Sequence, residues 1–202
     1  GIYTVIATKS LYLKSEYNRH HIMVGPDVWM DEVSNPDFIE DPTLYRAWRM
    51  QAASEGLRVR IGRWNVPGKP TAILVDFKQF LTRQDEILTE FWKRFGVDSL
   101  TGNWDYRESA LFGYAAGRVI ESFWRYNLDS SDKVVAQFHE WMTGTGLLYL
   151  KSVNVPISTV FTTHATVIGR CIAGNNLPLY DGMMNWNADE KARHFNVVAR
   201  HS

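Results

Sequence analysis

Gln137-Phe138-His139-Glu140-Trp141 and, further on, Thr159-Val160-Phe161-Thr162-Thr163-His164-Ala165-Thr166-Val167-Ile168-Gly169-Arg170 decide how this chain reads. Each is an apolar, partly β-branched run that ends abruptly in ionisable groups. Such a run reads as a buried strand. Helical patterns follow both, at 142–152 and from 165 onward, and the strands read as 133–138 and 157–163. Parallel strands need a crossover of a dozen or more residues, and the separation of His139 from His164 supplies it. Open α/β sheets place their ligands beyond the carboxyl ends of parallel strands. His139, Glu140 and His164 can therefore be aimed into one crevice.

Working outward, the rest of the chain alternates in the same way. Residues 1–14 open on a glycine and carry Ile2, Val5 and Ile6 at helical spacing, although Ile2-Tyr3-Thr4-Val5 alone suits a strand. His21-Ile22-Met23-Val24 reads as a short strand stopped by Gly25-Pro26. Residues 27–42 read as a loop, and Thr43 reads as the cap of a helix closed by Gly56. Leu57–Ile61 and Thr71–Asp76 flank the turn Pro67-Gly68-Lys69-Pro70 and predict a hairpin. Helices are expected over 78–95, 107–126 and 188–202. The order predicts an α/β fold with a Rossmann-like, mostly parallel sheet and an inserted β-hairpin. No internal repeat or linker divides it.

The 202 residues suffice for one domain with a real core. Lys plus Arg and Asp plus Glu number 22 each, without the basic excess usual for nucleic-acid binders. No apolar run approaches the ~20 residues of a membrane span. The single Cys171 excludes an internal disulfide and fits a cytoplasmic compartment. Six scattered His and one Cys give no metal-ligand spacing, and adjacent His20 and His21 chelate poorly. Trp48, Trp92 and Trp124 lie in amphipathic helices and read as packing residues, not sugar platforms.

The motifs carry a resemblance. His139-Glu140-Trp141 followed by Phe161-Thr162-Thr163-His164-Ala165-Thr166 and Gly169-Arg170 resembles the glycogen synthases of the animal and fungal type, retaining glucosyltransferases of the GT-B fold. Gly1-Ile2-Tyr3-Thr4-Val5 looks like the second half of their glycine-rich loop. Val24-Gly25-Pro26, Gly62-Arg63-Trp64, Leu111-Phe112-Gly113-Tyr114 and Asn175 fall in the family's order. The resemblance implies transfer of glucose, with retention, from UDP-glucose or ADP-glucose to the non-reducing end of an α-1,4-glucan such as glycogen, with no metal or cofactor. It implies that residues 1–202 are part of an amino-terminal Rossmann-like domain, whose first strand and companion domain lie outside the chain. Alone, the chain is then expected to be inactive, and its cut edges allow a homo-oligomer. The other classes left open are a non-enzymatic glucan-binding or scaffolding homologue and another GT-B enzyme such as a phosphorylase.

The resemblance also implies roles. His164 and Glu140 are the expected catalytic pair, His164 at the donor glucose and Glu140 near donor and acceptor sugars. Gly1, Ile2 and Tyr3 are expected at the donor phosphates, where glycine lets backbone amides approach closely. His139, Thr163 and Arg170 complete the expected substrate-binding set, with His139 as support for its neighbours. A core histidine, a helix-terminal glutamate and a surface arginine are the plain alternatives for His164, Glu140 and Arg170. Two departures from the family pattern stand out. Gln137 replaces the first His of His-Phe-His-Glu-Trp, and Arg107-Glu108 replaces Asn-Asp.

Overall fold

The computed structural model describes residues 1–17, 20–28 and 35–197. Its strands are β1 (Ile22–Pro26), β2 (Phe38–Glu40), β3 (Arg58–Trp64), β4 (Thr71–Asp76), β5 (Val134–His139) and β6 (Ile157–Thr162). Its helices are α1 (Ile2–Tyr17), α2 (Arg46–Ser54), α3 (Gln84–Phe95), α4 (Trp104–Asn127), α5 (Gly144–Val153), α6 (Val167–Gly174), α7 (Leu179–Gly182) and α8 (Ala188–His194). The α/β order and the inserted hairpin are as expected. The carboxyl-terminal part of the predicted final helix, 198–202, lies outside the described residues.

The strands form two sheets. One runs in the order β1-β4-β3-β2, the other is β5-β6. β1 pairs parallel with β4, and β5 pairs parallel with β6. The hairpin β3–β4 and the pair β2–β3 are antiparallel. β4 thus serves both as the parallel partner of β1 and as the second arm of the hairpin. The predicted loop over 27–42 contains a short strand, β2, which the sequence reading missed. Opposite it stands Gly62, where a β-carbon would come within 2.8 Å of Glu40 Cα. Only a glycine lets this edge strand approach so closely.

Helix boundaries shift for local reasons. Thr43 does not cap α2: its amide and hydroxyl both donate to Asp41 Oδ1, at 2.9 and 2.5 Å. The helix starts three residues later, after Tyr45 at φ 48°. Residues 78–83 form a 3-10 segment ahead of α3, and Gly96 closes α3 at φ 68° as expected. α4 begins at Trp104 because the Asn103 side chain caps it, accepting from the Tyr106 amide at 3.1 Å.

α4 joins the two sheets. Leu111, Ala115 and Val119 pack with Trp48, Ile61, Ile73, Val75 and Phe91 under the larger sheet. Ile120 and Trp124 pack against Phe138, Leu150 and Ile157 under the smaller one. α5 lies close on α4 because glycines face each other. A β-carbon on Gly146 would sit 2.5 Å from Gly113 O, and one on Gly117 would sit 2.9 Å from Gly146 O. The Thr145 hydroxyl ties the pair by donating to Ala110 O at 2.6 Å. This contact sets where β5, which leads into α5, ends. Of the three tryptophans read as packing residues, Trp48 is fully buried and donates to Ser122 Oγ at 3.1 Å. Trp124 packs in the smaller core, whereas Trp92 is 55% exposed on the outer face of α3.

Candidate active site

The site begins with a register. β5 and β6 pair so that Phe138 faces Phe161 and His139 faces Thr162. The ladder runs one step past the strand, with the Glu140 amide donating to Thr162 O at 2.9 Å. Gln137 donates from Nε2 to Thr162 Oγ1 at 2.7 Å. The residue that departs from the family pattern therefore braces the two strands.

At Glu140 the backbone turns sharply, with φ 66° and ψ 167°. This region is used almost only by glycine, and a side-chain-bearing residue there costs about 1–3 kcal/mol unless its surroundings hold it. They do hold it. The Glu140 carboxylate accepts from the backbone amides of His164 and Ala165, the latter at 3.0 Å. The Thr143 hydroxyl lies 3.0 Å from the carbonyls of both His139 and Glu140. Burial pushes the Glu140 carboxyl up, but the two amides and the nearby His164 and Trp141 outweigh it and hold the group below its ordinary value. Glu140 is therefore an ionised carboxylate that shapes the loop carrying His164.

His139 and His164 meet at the strand ends. Nδ1 of His139 lies 3.0 Å from Nε2 of His164, and the rings stack with centroids 5.3 Å apart. Burial lowers the His139 pKa, and the charges of His164 and Lys9 lower it further against the pull of Glu140. Lys9 stands on α1 and was not singled out from the sequence.

The other expected residues scatter. Thr163 is exposed between Thr162 and His164. Arg170 is exposed on the first turns of α6, whose amino end is capped by the Thr166 hydroxyl accepting from the Gly169 amide at 3.0 Å. Gly1, Ile2 and Tyr3 open α1, and the Tyr3 ring packs edge-on against Trp64 at 5.2 Å. The structure brings together His139, Glu140 and His164; it is Lys9, two turns beyond Tyr3, whose charge reaches His139. Arg107, the other departure, is structural: its guanidinium donates to Gly102 O at 3.0 Å and to Leu100 O, and lies 3.6 Å from Asp85. A concavity of about 740 Å³ between α2 and β3 is lined by none of these residues. Among the described residues there is no group of three or more His, Cys, Asp or Glu that could hold a metal ion. Among them, too, no helix is long and apolar enough to cross a membrane.

Parallel strands that end in ionisable side chains and feed helices define an α/β protein of the Rossmann-like class. The chain belongs to the glycogen synthase family: the family model described as Glycogen synthase matches residues 1–202. It is similar to the glycogen [starch] synthase of Dictyostelium discoideum, at 31% identity over 204 residues, covering 100% of this chain and 22% of that protein. The liver glycogen [starch] synthase of Rattus norvegicus is 28% identical over 204 residues, covering 100% of this chain and 28% of its own length. Glycogen [starch] synthase isoform 2 of Saccharomyces cerevisiae is 27% identical over 213 residues, covering 100% and 30%. The chain spans less than a third of the length of these relatives.

Proposed function

We propose that this chain supplies one side of the active site of a glucosyltransferase. The enzyme moves glucose from a sugar nucleotide to the non-reducing end of an α-1,4-glucan and retains the anomeric configuration. The bond from the sugar C1 to the diphosphate oxygen breaks, a bond from C1 to the acceptor oxygen forms, and the acceptor hydroxyl's proton passes to the departing diphosphate. Family membership supports the reaction class. The single observation that supports placing it here is the convergence of His139, Glu140 and His164 at the ends of β5 and β6.

In this reading His164 hydrogen-bonds the donor glucose, and that bond strengthens in the transition state. Glu140 adds a fixed negative charge beside developing positive charge on the sugar. Thr163, the amino end of α1 at Gly1, Ile2 and Tyr3, and Arg170 contribute polar contacts to the nucleotide sugar, Arg170 as a charged fork for phosphate. UDP-glucose and ADP-glucose are both candidate donors, and initial rates with each distinguish them.

The test is His164→Ala in the full-length protein. Turnover at saturating donor is expected to fall on the order of a hundredfold, with the melting temperature little changed, since the contact matters to the transition state. Turnover near that of the unsubstituted protein would overturn the role of His164.

A further inference from the structure

The 3.0 Å approach of His139 Nδ1 to His164 Nε2 constrains protons as well as rings. Two ring nitrogens so close need one N–H and one lone pair between them. Two lone pairs repel, and so do two N–H groups. The tautomer of one ring therefore dictates that of the other. With the contact intact the pair accepts one extra proton and no second. Both facing nitrogens are occupied, so Nδ1 is the ring nitrogen of His164 left for a substrate hydroxyl.

We infer that His139 is a positioning residue, which through this contact fixes the ring orientation of His164, couples the tautomer of His164 to its own and presents His164 Nδ1 to the donor sugar. The inference rests on the reading of His164 given under Proposed function. It also gives the site a proton limit, because a doubly protonated pair must separate. The groups facing His139 are Lys9 from α1, Glu140 at the end of β5 and His164 after β6. Lys9 and His164 oppose a proton on His139, while Glu140 favours one. Burial, Lys9 and His164 resist a proton on His139, and a second proton on the pair breaks the contact.

The test compares His139→Phe, which keeps a flat ring without nitrogens, with His139→Asn, whose side-chain amide stands where Nδ1 stood. The full-length protein labelled with ¹⁵N-histidine is titrated by NMR, and kcat/KM for the sugar nucleotide is followed against pH. The unsubstituted protein should show a tautomer balance at His164 that responds to the titration of His139. In His139→Phe that response should be absent. kcat/KM should fall by a factor of ~10–100, mostly in kcat, as a misoriented group costs, and the acid limb of the profile should move. His139→Asn should recover most of that loss, because its amide can meet either tautomer of His164 and hold the ring, which shows that the effect is not one of folding. Unchanged His164 signals and an unchanged pH profile in His139→Phe would overturn the inference, even with His164→Ala inactive. Conversely, full turnover by His164→Ala beside coupled histidine titrations would overturn the functional reading, and the positioning role with it, while leaving the proton coupling in place.

Discussion

The carboxylate oxygen Oε1 of Glu140 lies 3.0 Å from the amide nitrogen of Ala165, and it also accepts the amide of His164. One side chain at the end of β5 thus holds the backbone that follows β6. A carboxylate read from sequence as catalytic is here first a clamp on the loop that presents His164. The two roles are compatible, because a carboxylate fixed by amides is also a fixed charge.

Glu140→Gln separates them. Glutamine keeps an acceptor oxygen but loses the charge, so charge-assisted bonds worth about 1.5–3 kcal/mol become ordinary ones worth about 0.5–1.5. We expect a stability loss on the order of 1–3 kcal/mol in denaturant titration. We also expect glucosyl transfer to slow more than nucleotide diphosphate affinity weakens, the first by initial rates and the second by calorimetry. If rate and affinity decline in parallel, Glu140 acts through the fold alone.

Gly113→Ala probes the seam that sets the site's position. An added β-carbon would run into the Thr145 hydroxyl and lie 3.1 Å from the Gly146 amide nitrogen. α4 and α5 would have to part, and the bond from Thr145 to Ala110 O would loosen. Overpacking of this kind costs about 1–3 kcal/mol. Thermal unfolding should show the loss. Gly174→Ala is the control, since a β-carbon there meets nothing within 4 Å. Equal melting temperatures for the two variants would refute a tight seam.

Much of this was legible before the structure. β5 and β6 were readable because each is an apolar run cut off by ionisable residues, and α4 because Leu111, Ala115 and Val119 recur on one face. The family was readable from the motif around His164. β2 was not, because three residues carry no period, and its partner is admitted by a glycine more than 20 positions away. Thr43 misled because Asp41, two residues earlier, offers a stronger local acceptor than the helix offers a use for a cap. Lys9 gave no signal, since only the packing of α1 brings its charge to His139. The structural roles of Gln137 and Arg107 were hidden too: Thr162 meets Gln137 only through the pairing of β5 with β6, and Arg107 turns back onto the carbonyls of Leu100 and Gly102 in the loop before α4, where no periodic pattern announces the contact.

The depressed His139 pKa gives stability a defined dependence on pH. The ordinary histidine value is 6.5, and burial, His164 and Lys9 all move His139 below it. Between the lowered folded value and 6.5, the unfolded chain binds more protons than the folded one. Stability then rises with pH across that window and is level above it. Acidification below 6.5 therefore destabilises the protein well before carboxylates titrate. Half-buried His21, lowered by the same desolvation, adds to this first window. Glu140 supplies a second. Its pKa is held below the ordinary 4.5, so its contribution is complete above that value and lost as pH falls through the lower folded value. Unfolding free energies from denaturant titrations between about pH 7.5 and about pH 3.5 should show both declines. His139→Asn should make the upper decline shallower, His21 supplying what remains, and should leave the lower one in place. An upper decline as steep in His139→Asn as in the unsubstituted protein would mean that His139 does not resist protonation in the folded state.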